Sequence, residues 1–277
     1  MSLQPLRDLP GRDFGRSKWF KRKTIVLMNP PGLPRTLLYP VTNLRGEVQI
    51  RAMMVFAFND PVDTWIKPAV ELLAKTEMAY FSTLRFAGRQ GSYLLGRYAA
   101  KMALSEVLSE PDLSAIEVDR GVFEQPIVRC RRNDGWGVSI SHTEGVAVAL
   151  AYPEGHPMGV DLERIDPGQH QTIVSQLSEF EIGWLKLRSA ERLQLAAALW
   201  AAKESLSKIL RTGLMADIRV YDLAEFNSID SRVWEGSFEN FAQYKTRIWI
   251  GSNHVLSIAL PKRSTPVFEE QQLFNIL

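Results

Sequence analysis

The sequence predicts an α+β fold in which two halves each combine helices with antiparallel strands. Two stretches of helical periodicity support this prediction, one from about Arg89 to Leu108 and one at 190–211. Short apolar runs, separated by glycines, prolines and an Asn-Asp-Gly turn, lie beside these helices and favour hairpins over the crossovers of a parallel sheet. The tight turn Pro153-Glu154-Gly155 lies between the halves. The expected domains are an N-terminal extension at 1–66 and subdomains at 67–153 and 154–277.

The remaining elements follow from the same patterns. The N-terminal 66 residues look irregular except for two candidate strands, TIVLM and VQIRAMMVFAF. Helices are expected from Lys67 to about Tyr80 and at 176–188, and the tail after Pro261 is expected to be partly loose. The other predicted strands are IEVDRGVF, IVRC, GVSIS, GVAVALAY, MGVDLERI, IRVYDL, YKTRIWI and HVLSIAL. We find no clear sequence repeat.

The amino-acid composition excludes several classes of protein. Apolar residues make up 45% of the 277 residues, which is enough for a substantial core, and the formal net charge of +2 gives no sign of nucleic-acid binding. The single cysteine, Cys130, excludes an internal disulfide and a thiolate zinc site. No apolar run reaches the length of a signal peptide or a membrane span. These features predict a cytoplasmic protein that binds neither nucleic acid nor membrane.

Three carboxylates are the strongest candidates for a functional site. Asp161 and Glu163 lie in GVDLERID, where alternation along a strand directs both to one face. Glu204 follows on the long helix, next to Lys203 and one turn before Lys208. Carboxylate oxygens with lysines nearby are suited to Mg²⁺ and a phosphate ester.

Each of these residues also has a plainer explanation. Glu204 and Lys208 could form an ordinary i,i+4 pair on a solvated face, worth about 0.2–0.5 kcal/mol. Trp200 stands in the same row of the helix, however, and a fully solvated face rarely carries tryptophan. Aspartate and glutamate two positions apart are also common on exposed strands. The set taken in order, rather than any one member, supports a functional site.

Two other motifs need weighing. Ser141 and His142 end a strand, but the glycine-flanked elbow of a Ser-His-Asp hydrolase is incomplete there. The string from Gly91 to Tyr98 resembles a phosphate-binding loop, yet it has Arg for Lys and continues a helix, so we reject it. Arg89 lies near the start of this helix, where backbone N–H groups favour anions.

Three strings together resemble the 4′-phosphopantetheinyl transferase superfamily, of the larger surfactin-synthetase-activating (Sfp) type. They are S-I-S-H at 139–142, G-V-D-L-E at 159–163 and W-A-A-K-E-S-L-S-K at 200–208. An upstream string from Arg89 to Lys101 is also typical of bacterial members. The resemblance covers about residues 80–260.

The resemblance implies two pseudo-symmetric halves with coenzyme A and Mg²⁺ in the cleft between them. It implies that Asp161, Glu163 and Glu204 bind the metal and that Glu204 also accepts the proton of the attacking serine. It places Ser141, His142 and Arg89 on the 3′-phosphate of coenzyme A, and Lys208 on the pyrophosphate with Lys203 assisting. The implied reaction moves phosphopantetheine to a serine of an apo acyl or peptidyl carrier protein and releases 3′,5′-ADP.

The chain departs from the family pattern in places. A Gly-Lys-Pro-like string expected before the S-x-S-H strand is here Phe123-Glu124-Gln125-Pro126, and Arg120 is a candidate to compensate. An acidic carrier would be steered by basic residues, and the candidates are Lys186, Arg188 and Arg211. Further basic clusters lie at 18–23 and 129–132. The resemblance favours a monomer.

Two competing hypotheses remain open. The first is a non-catalytic module on the same fold that binds coenzyme A or a carrier protein. The second is a metal-assisted phosphoester hydrolase, which would release phosphate or nucleotide from coenzyme A without any carrier.

Overall fold

The computed structural model describes residues 25–59 and 65–277. The predicted α+β class is confirmed, because both halves combine helices with antiparallel strands. The strands of the first half are β1 Val26–Met28, β2 Arg35–Arg45, β3 Val48–Phe58, β4 Glu117–Arg120, β5 Pro126–Arg129, β6 Trp136–Thr143 and β7 Val146–Pro153. Its helices, between β3 and β4, are α1 Ile66–Glu71, α2 Lys75–Phe81 and α3 Ala87–Leu108.

The second half repeats this arrangement of helices followed by strands. It begins with β8 Gly159–Arg164 and continues with α4 His170–Val174, α5 Glu179–Leu187 and α6 Arg192–Ile209. The later strands are β9 Leu223–Ser228, β10 Val233–Phe238, β11 Tyr244–Ile250, β12 His254–Pro261 and β13 Thr265–Val267. The last helix is α7 Glu270–Leu273. Short 3₁₀ turns connect several of these elements.

The strands form two larger sheets. The first has the order β1-β2-β3-β7-β6, with β13 also paired to β2, and the second has the order β8-β12-β11-β10-β9. Strands β4 and β5 form a separate ribbon. Helix α3 packs on β3, β6 and β7, and helix α6 packs on β8, β11 and β12. Each sheet therefore has one face covered by its own long helix.

The other faces of the two sheets pack against each other. On β7, Ala147, Ala149 and Ala151 belong to the core under α3, while Val148 and Leu150 point to the second sheet. The small alanines let the helix approach the strand closely, and the larger side chains fill the space between sheets. The two halves thus share one central core.

Several sequence predictions were wrong at the level of single elements. The helix predicted from Lys67 to Tyr80 is broken after Glu71 into α1 and α2. The predicted strand IRVYDL is a 3₁₀ turn at Ile218–Tyr221, because the Asp217 side chain accepts a hydrogen bond from the Arg219 N–H and caps the turn. Strands β2, β9 and β10 were not predicted. The tail after Pro261 forms β13 and α7.

The N-terminal extension joins the first sheet where it is described, since β2 and β3 form a long hairpin beside β7. The basic residues Lys18, Lys21, Arg22 and Lys23 lie outside the described residues. In the part of the chain that the structure covers, no helix is both long and apolar enough to cross a membrane.

The two long helices carry a similar short sequence, although the chain has no clear sequence repeat. Tyr98-Ala-Ala-Lys101-Met102 on α3 corresponds to Trp200-Ala-Ala-Lys203-Glu204 on α6. Leu104 and Ser105 also match Leu206 and Ser207, so the similarity extends over about two helical turns. Because both helices cover equivalent sheets, these positions are equivalent in the fold as well.

Candidate active site

The three predicted carboxylates come together between β8 and α6. Along β8, Val160 and Leu162 are buried between the sheets, so the alternating Asp161 and Glu163 face α6. Glu204 on α6 completes the group, and one carboxylate oxygen from each residue lies within 4.8 Å of the others. This grouping follows from the two-residue period of the strand and from the packing of α6 over it.

The contacts of Asp161 fit a divalent cation. Its Oδ1 accepts hydrogen bonds from Lys208 Nζ at 2.6 Å and from Ser141 Oγ at 2.7 Å. Its Oδ2 is buried and has no hydrogen-bond partner. A buried carboxylate oxygen without a partner is costly, and a hard cation bound beside two further carboxylates would satisfy it. The donor set therefore fits Mg²⁺.

Two serines on β6 hold β8 against the first half. Ser139 Oγ accepts a hydrogen bond from the Val160 N–H at 3.0 Å, and Ser141, two residues later on the same face, binds Asp161. We call this pair of contacts the serine bridge. It makes the site depend on both halves, and sequence reasoning missed the role of Ser139. The predicted contact of Ser141 with a 3′-phosphate stays a prediction.

The C-terminal part of α6 lies very close to β8. A Cβ atom added to Gly159 would stand 1.9 Å from the Ser205 carbonyl oxygen, so this position requires glycine. Lys208 also donates to the Val160 carbonyl at 3.0 Å. The lysine thus binds both the backbone and the carboxylate of β8, and its ammonium group is held at the edge of the carboxylate cluster.

Arg89 and His142 line a common pocket of about 300 Å³ beside the cluster, together with Tyr80, Tyr93 and neighbouring residues of α3. Gly96 allows β6 to approach α3, since a Cβ there would lie only 3.3 Å from Ile140 Cγ2. Restricted access of water lowers the pKa of His142, although the residue is partly exposed, and Lys208 and Arg89 lower it further. Such a pocket can accept an anionic group.

A second pocket, of about 210 Å³, lies where the family's nucleotide-contacting string was expected. It is lined by the turn Phe123–Pro126, by β6, and by Lys208 and Arg211. Arg120 does not line this pocket; its guanidinium lies 3.6 Å from the centroid of the Tyr80 ring, at the pocket of Arg89.

Part of the chain matches a known protein family. Residues 157–259 match the family model of the 4′-phosphopantetheinyl transferase superfamily. The resemblance to this superfamily is confirmed. The matched part contains the three carboxylates and Lys208, whereas Arg89, Ser141 and His142 precede it.

A curated relative has a name from the same group of proteins. The L-aminoadipate-semialdehyde dehydrogenase-phosphopantetheinyl transferase of Eremothecium gossypii is 26% identical to this chain over 172 residues. The aligned part is 57% of this chain and 60% of that relative's length.

The first half holds an apolar counterpart of the carboxylate cluster. Strands β7 and β12 each end in a proline, and this shared end aligns the two halves. Four positions before the proline, β7 has Ala149, which pairs with Val55, and β12 has Ser257, which pairs with Asp161. Val55 therefore corresponds to Asp161. By the same register Ala57 corresponds to Glu163, and on the helices Met102 corresponds to Glu204. These three counterparts are all buried and apolar. Within the described residues, only the second half therefore places three carboxylates together.

Lys203 lies apart from the other predicted site residues. Its side chain is fully buried, and its ammonium group pairs with Glu181 Oε2 at 2.7 Å and with Asp222 Oδ1 at 2.5 Å. The prediction that Lys203 assists at the pyrophosphate is therefore corrected, because the ammonium group has no open path to a ligand.

The basic residues predicted to meet a carrier protein are exposed but separated. Lys186 and Arg188 lie at the end of α5, and Arg188 lines a groove with Leu195 near the start of α6. Arg211 follows the end of α6. A helix rises about 1.5 Å per residue, so about 20 Å of α6 separates the two places.

The charges of the cluster shift the pKa values of its glutamates. Burial raises the pKa of both Glu163 and Glu204, and the negative charge of Asp161 raises both further. Lys208 and a hydrogen bond from Trp200 act in the opposite direction. Without a cation, the folded protein therefore holds protons on this cluster above the ordinary glutamate range.

The metal-free protein should lose stability as the pH rises. Because Glu163 and Glu204 have raised pKa values in the folded state, their contribution is fully present below the unfolded value of 4.5 and is lost as the pH passes through the folded values. Thermal unfolding in EDTA, compared at about pH 5.5 and about pH 8, measures this effect. The double variant Glu163→Gln/Glu204→Gln should show a flatter dependence; an unchanged dependence would contradict the assignment.

Proposed function

We propose that this protein transfers 4′-phosphopantetheine from coenzyme A to a serine of an apo acyl or peptidyl carrier protein. The carboxylate cluster, with the unpartnered Oδ2 of Asp161, is the observation that carries the proposal. The family match over residues 157–259 supports it, and so does the name of the relative. Arg89 and His142 border a separate pocket of suitable charge for the 3′-phosphate.

In the proposed reaction the serine oxygen of the carrier forms a bond to the β-phosphorus of coenzyme A. The bond from this phosphorus to the bridging pyrophosphate oxygen breaks, and 3′,5′-ADP leaves with the electron pair. Glu204 accepts the serine proton, directly or through water. Lys208 offsets negative charge on the departing group.

Three side chains would hold the metal: Asp161, Glu163 and Glu204. When bound, Mg²⁺ supplies positive charge that neutralises the pyrophosphate oxygens. The chain's own residues then orient the reactants, since transfers of this type depend on positioning and charge more than on covalent catalysis. Ser141 and Lys208 keep Asp161 in place from the opposite side.

The test is intact-mass spectrometry of an apo carrier protein incubated with this protein, coenzyme A and Mg²⁺, with EDTA in the control. A gain of one phosphopantetheine only when Mg²⁺ is present is the expected result. Binding of coenzyme A without any gain on several carriers would instead favour a non-catalytic module. Release of phosphate or nucleotide in the absence of a carrier would favour a hydrolase.

Replacing Arg89 by alanine should raise the KM for coenzyme A about tenfold, because a charge-assisted contact to the 3′-phosphate is lost. Little change in kcat is expected, since Arg89 lies apart from the carboxylates. With dephospho-coenzyme A, which lacks this phosphate, the variant and the wild type should have similar KM values. The control is Arg85→Ala, which removes an exposed arginine just before α3. Equal losses with both substrates would refute the contact.

A further inference from the structure

The buried ammonium group of Lys203 joins three elements of the second half. Its partner Glu181 lies in the first turn of α5, where the same carboxylate accepts from the Ser178 N–H at 2.9 Å and from the Leu223 N–H at 3.2 Å. Its other partner, Asp222, directly precedes β9. Helix α6 is therefore tied through one side chain to α5 and to the start of β9.

The first half contains a similar arrangement, in which backbone carbonyls of Leu113 and Ile116 take the place of the second carboxylate. Lys101 on α3 pairs with Glu77 Oε2 at 2.8 Å, and both side chains are fully buried. Glu77 lies in the first turn of α2 and accepts from the Ala74 N–H at 2.7 Å and from the Val118 N–H at 3.3 Å, which is in β4. We call these two arrangements the lysine anchors. Since the first has no carboxylate cluster on its helix, the anchor does not serve ligand binding by itself.

We propose that Lys203 is a positioning residue that fixes the rotation of α6 and so directs Glu204 toward β8. This inference rests on the proposed function, because it concerns the metal site assigned there. Neighbouring residues of a helix point about 100° apart. Holding Lys203 against Glu181 and Asp222 therefore leaves Glu204 facing Asp161 and Glu163, and it leaves Lys208, one turn later, at the same edge.

The anchor suits this task because it resists rotation. A buried ammonium group has three donors, and two of them meet carboxylates that lie on separate elements. Turning α6 would leave these charges buried and unpaired, which is strongly unfavourable. On the side of the cluster, α6 is also tied to β8 through Lys208, which donates to the Val160 carbonyl and to Asp161.

The test measures binding of Mn²⁺ alone, by electron paramagnetic resonance, in the intact protein without coenzyme A or carrier. The variants are Lys203→Met and the milder Asp222→Asn, which removes the charge of one partner and keeps the pair with Glu181. Lys203→Arg keeps the charge and tests for partial rescue. The matched control is Lys101→Met, which removes the anchor of the first half. Circular dichroism and thermal unfolding establish that each variant is folded.

We expect Lys203→Met to weaken Mn²⁺ binding at least about tenfold and Asp222→Asn to weaken it less, as for residues that orient metal ligands. Lys101→Met should lose thermal stability but bind Mn²⁺ as the wild type does. Wild-type affinity in folded Asp222→Asn and Lys203→Met would overturn the positioning role, as would an equal loss in Lys101→Met. If Lys203→Met does not fold, Asp222→Asn decides. Failure of the wild type to bind Mn²⁺ would overturn the proposed function itself, and the inference with it.

Discussion

Replacing Glu204 by glutamine should abolish phosphopantetheine transfer while the protein stays folded. The amide keeps the shape of the side chain but removes a charged metal ligand and the proposed proton acceptor. A loss of at least about 1000-fold in kcat/KM is expected, since charge stabilisation and proton transfer are both affected. Folding should be retained, because burial already raises the pKa of Glu204 and makes its charged form costly. Intact-mass kinetics of the carrier measure the effect.

A control for this variant exists on the other long helix. Glu106 on α3 occupies the position that corresponds to Lys208 on α6, outside the carboxylate cluster. Glu106→Gln makes the same chemical change and should leave transfer unchanged. Full activity of Glu204→Gln at saturating Mg²⁺ would exclude the role given to Glu204.

Replacing Gly159 by alanine should destabilise the protein by about 2–4 kcal/mol, because the new methyl group overlaps the Ser205 backbone carbonyl. The contact lies between the backbone of β8 and the backbone of α6, so no flexible side chain can move aside to relieve the overlap. Helix α6 must then move away from β8, which separates Glu204 from Asp161. Chemical denaturation measures the stability, and Mn²⁺ binding to the folded fraction reports the displacement.

Gly183→Ala is the matched control. A Cβ at this position on α5 would meet nothing within 4 Å, and alanine is favoured over glycine in a helix. We expect an unchanged or slightly increased stability, with normal Mn²⁺ binding. A loss in both variants would show that the effect at Gly159 does not come from the close approach of α6.

The carboxylate cluster could be predicted from sequence because its spacing has a direct geometric meaning. Alternation along a strand sends Asp161 and Glu163 to one side, and a helix that follows in the same half must cover that side. The position of Lys203 could not be predicted in this way. A helix packed on several elements buries more than one face, and the sequence does not say which lysine meets a buried acid.

Strand predictions failed where a local signal opposed the tertiary context. Pro40 argues against a strand at β2, because proline cannot donate a backbone hydrogen bond. On the outer edge of β2, however, β1 pairs before Pro40 and β13 pairs after it, so Pro40 lies where β2 has no partner on that edge. The apolar content of IRVYDL favours a strand, but Asp217 and Asp222 flank a turn there. The role of Ser139 also escaped sequence reasoning, since only the edge-to-edge approach of β6 and β8 gives it a partner.

The apolar counterpart in the first half helps to explain how the protein stays folded with three acidic side chains close together in the second half. Clustering three acids beneath a helix weakens the half that contains them. Val55, Ala57 and Met102 are apolar, so the first half has no destabilising charge at these positions. The first half can therefore contribute stability that the second half lacks. Because the two halves share one central core, the stability of the first half also supports the second. We infer that mutational damage in the first half would remove part of the stability that allows the second half to hold three acids close together.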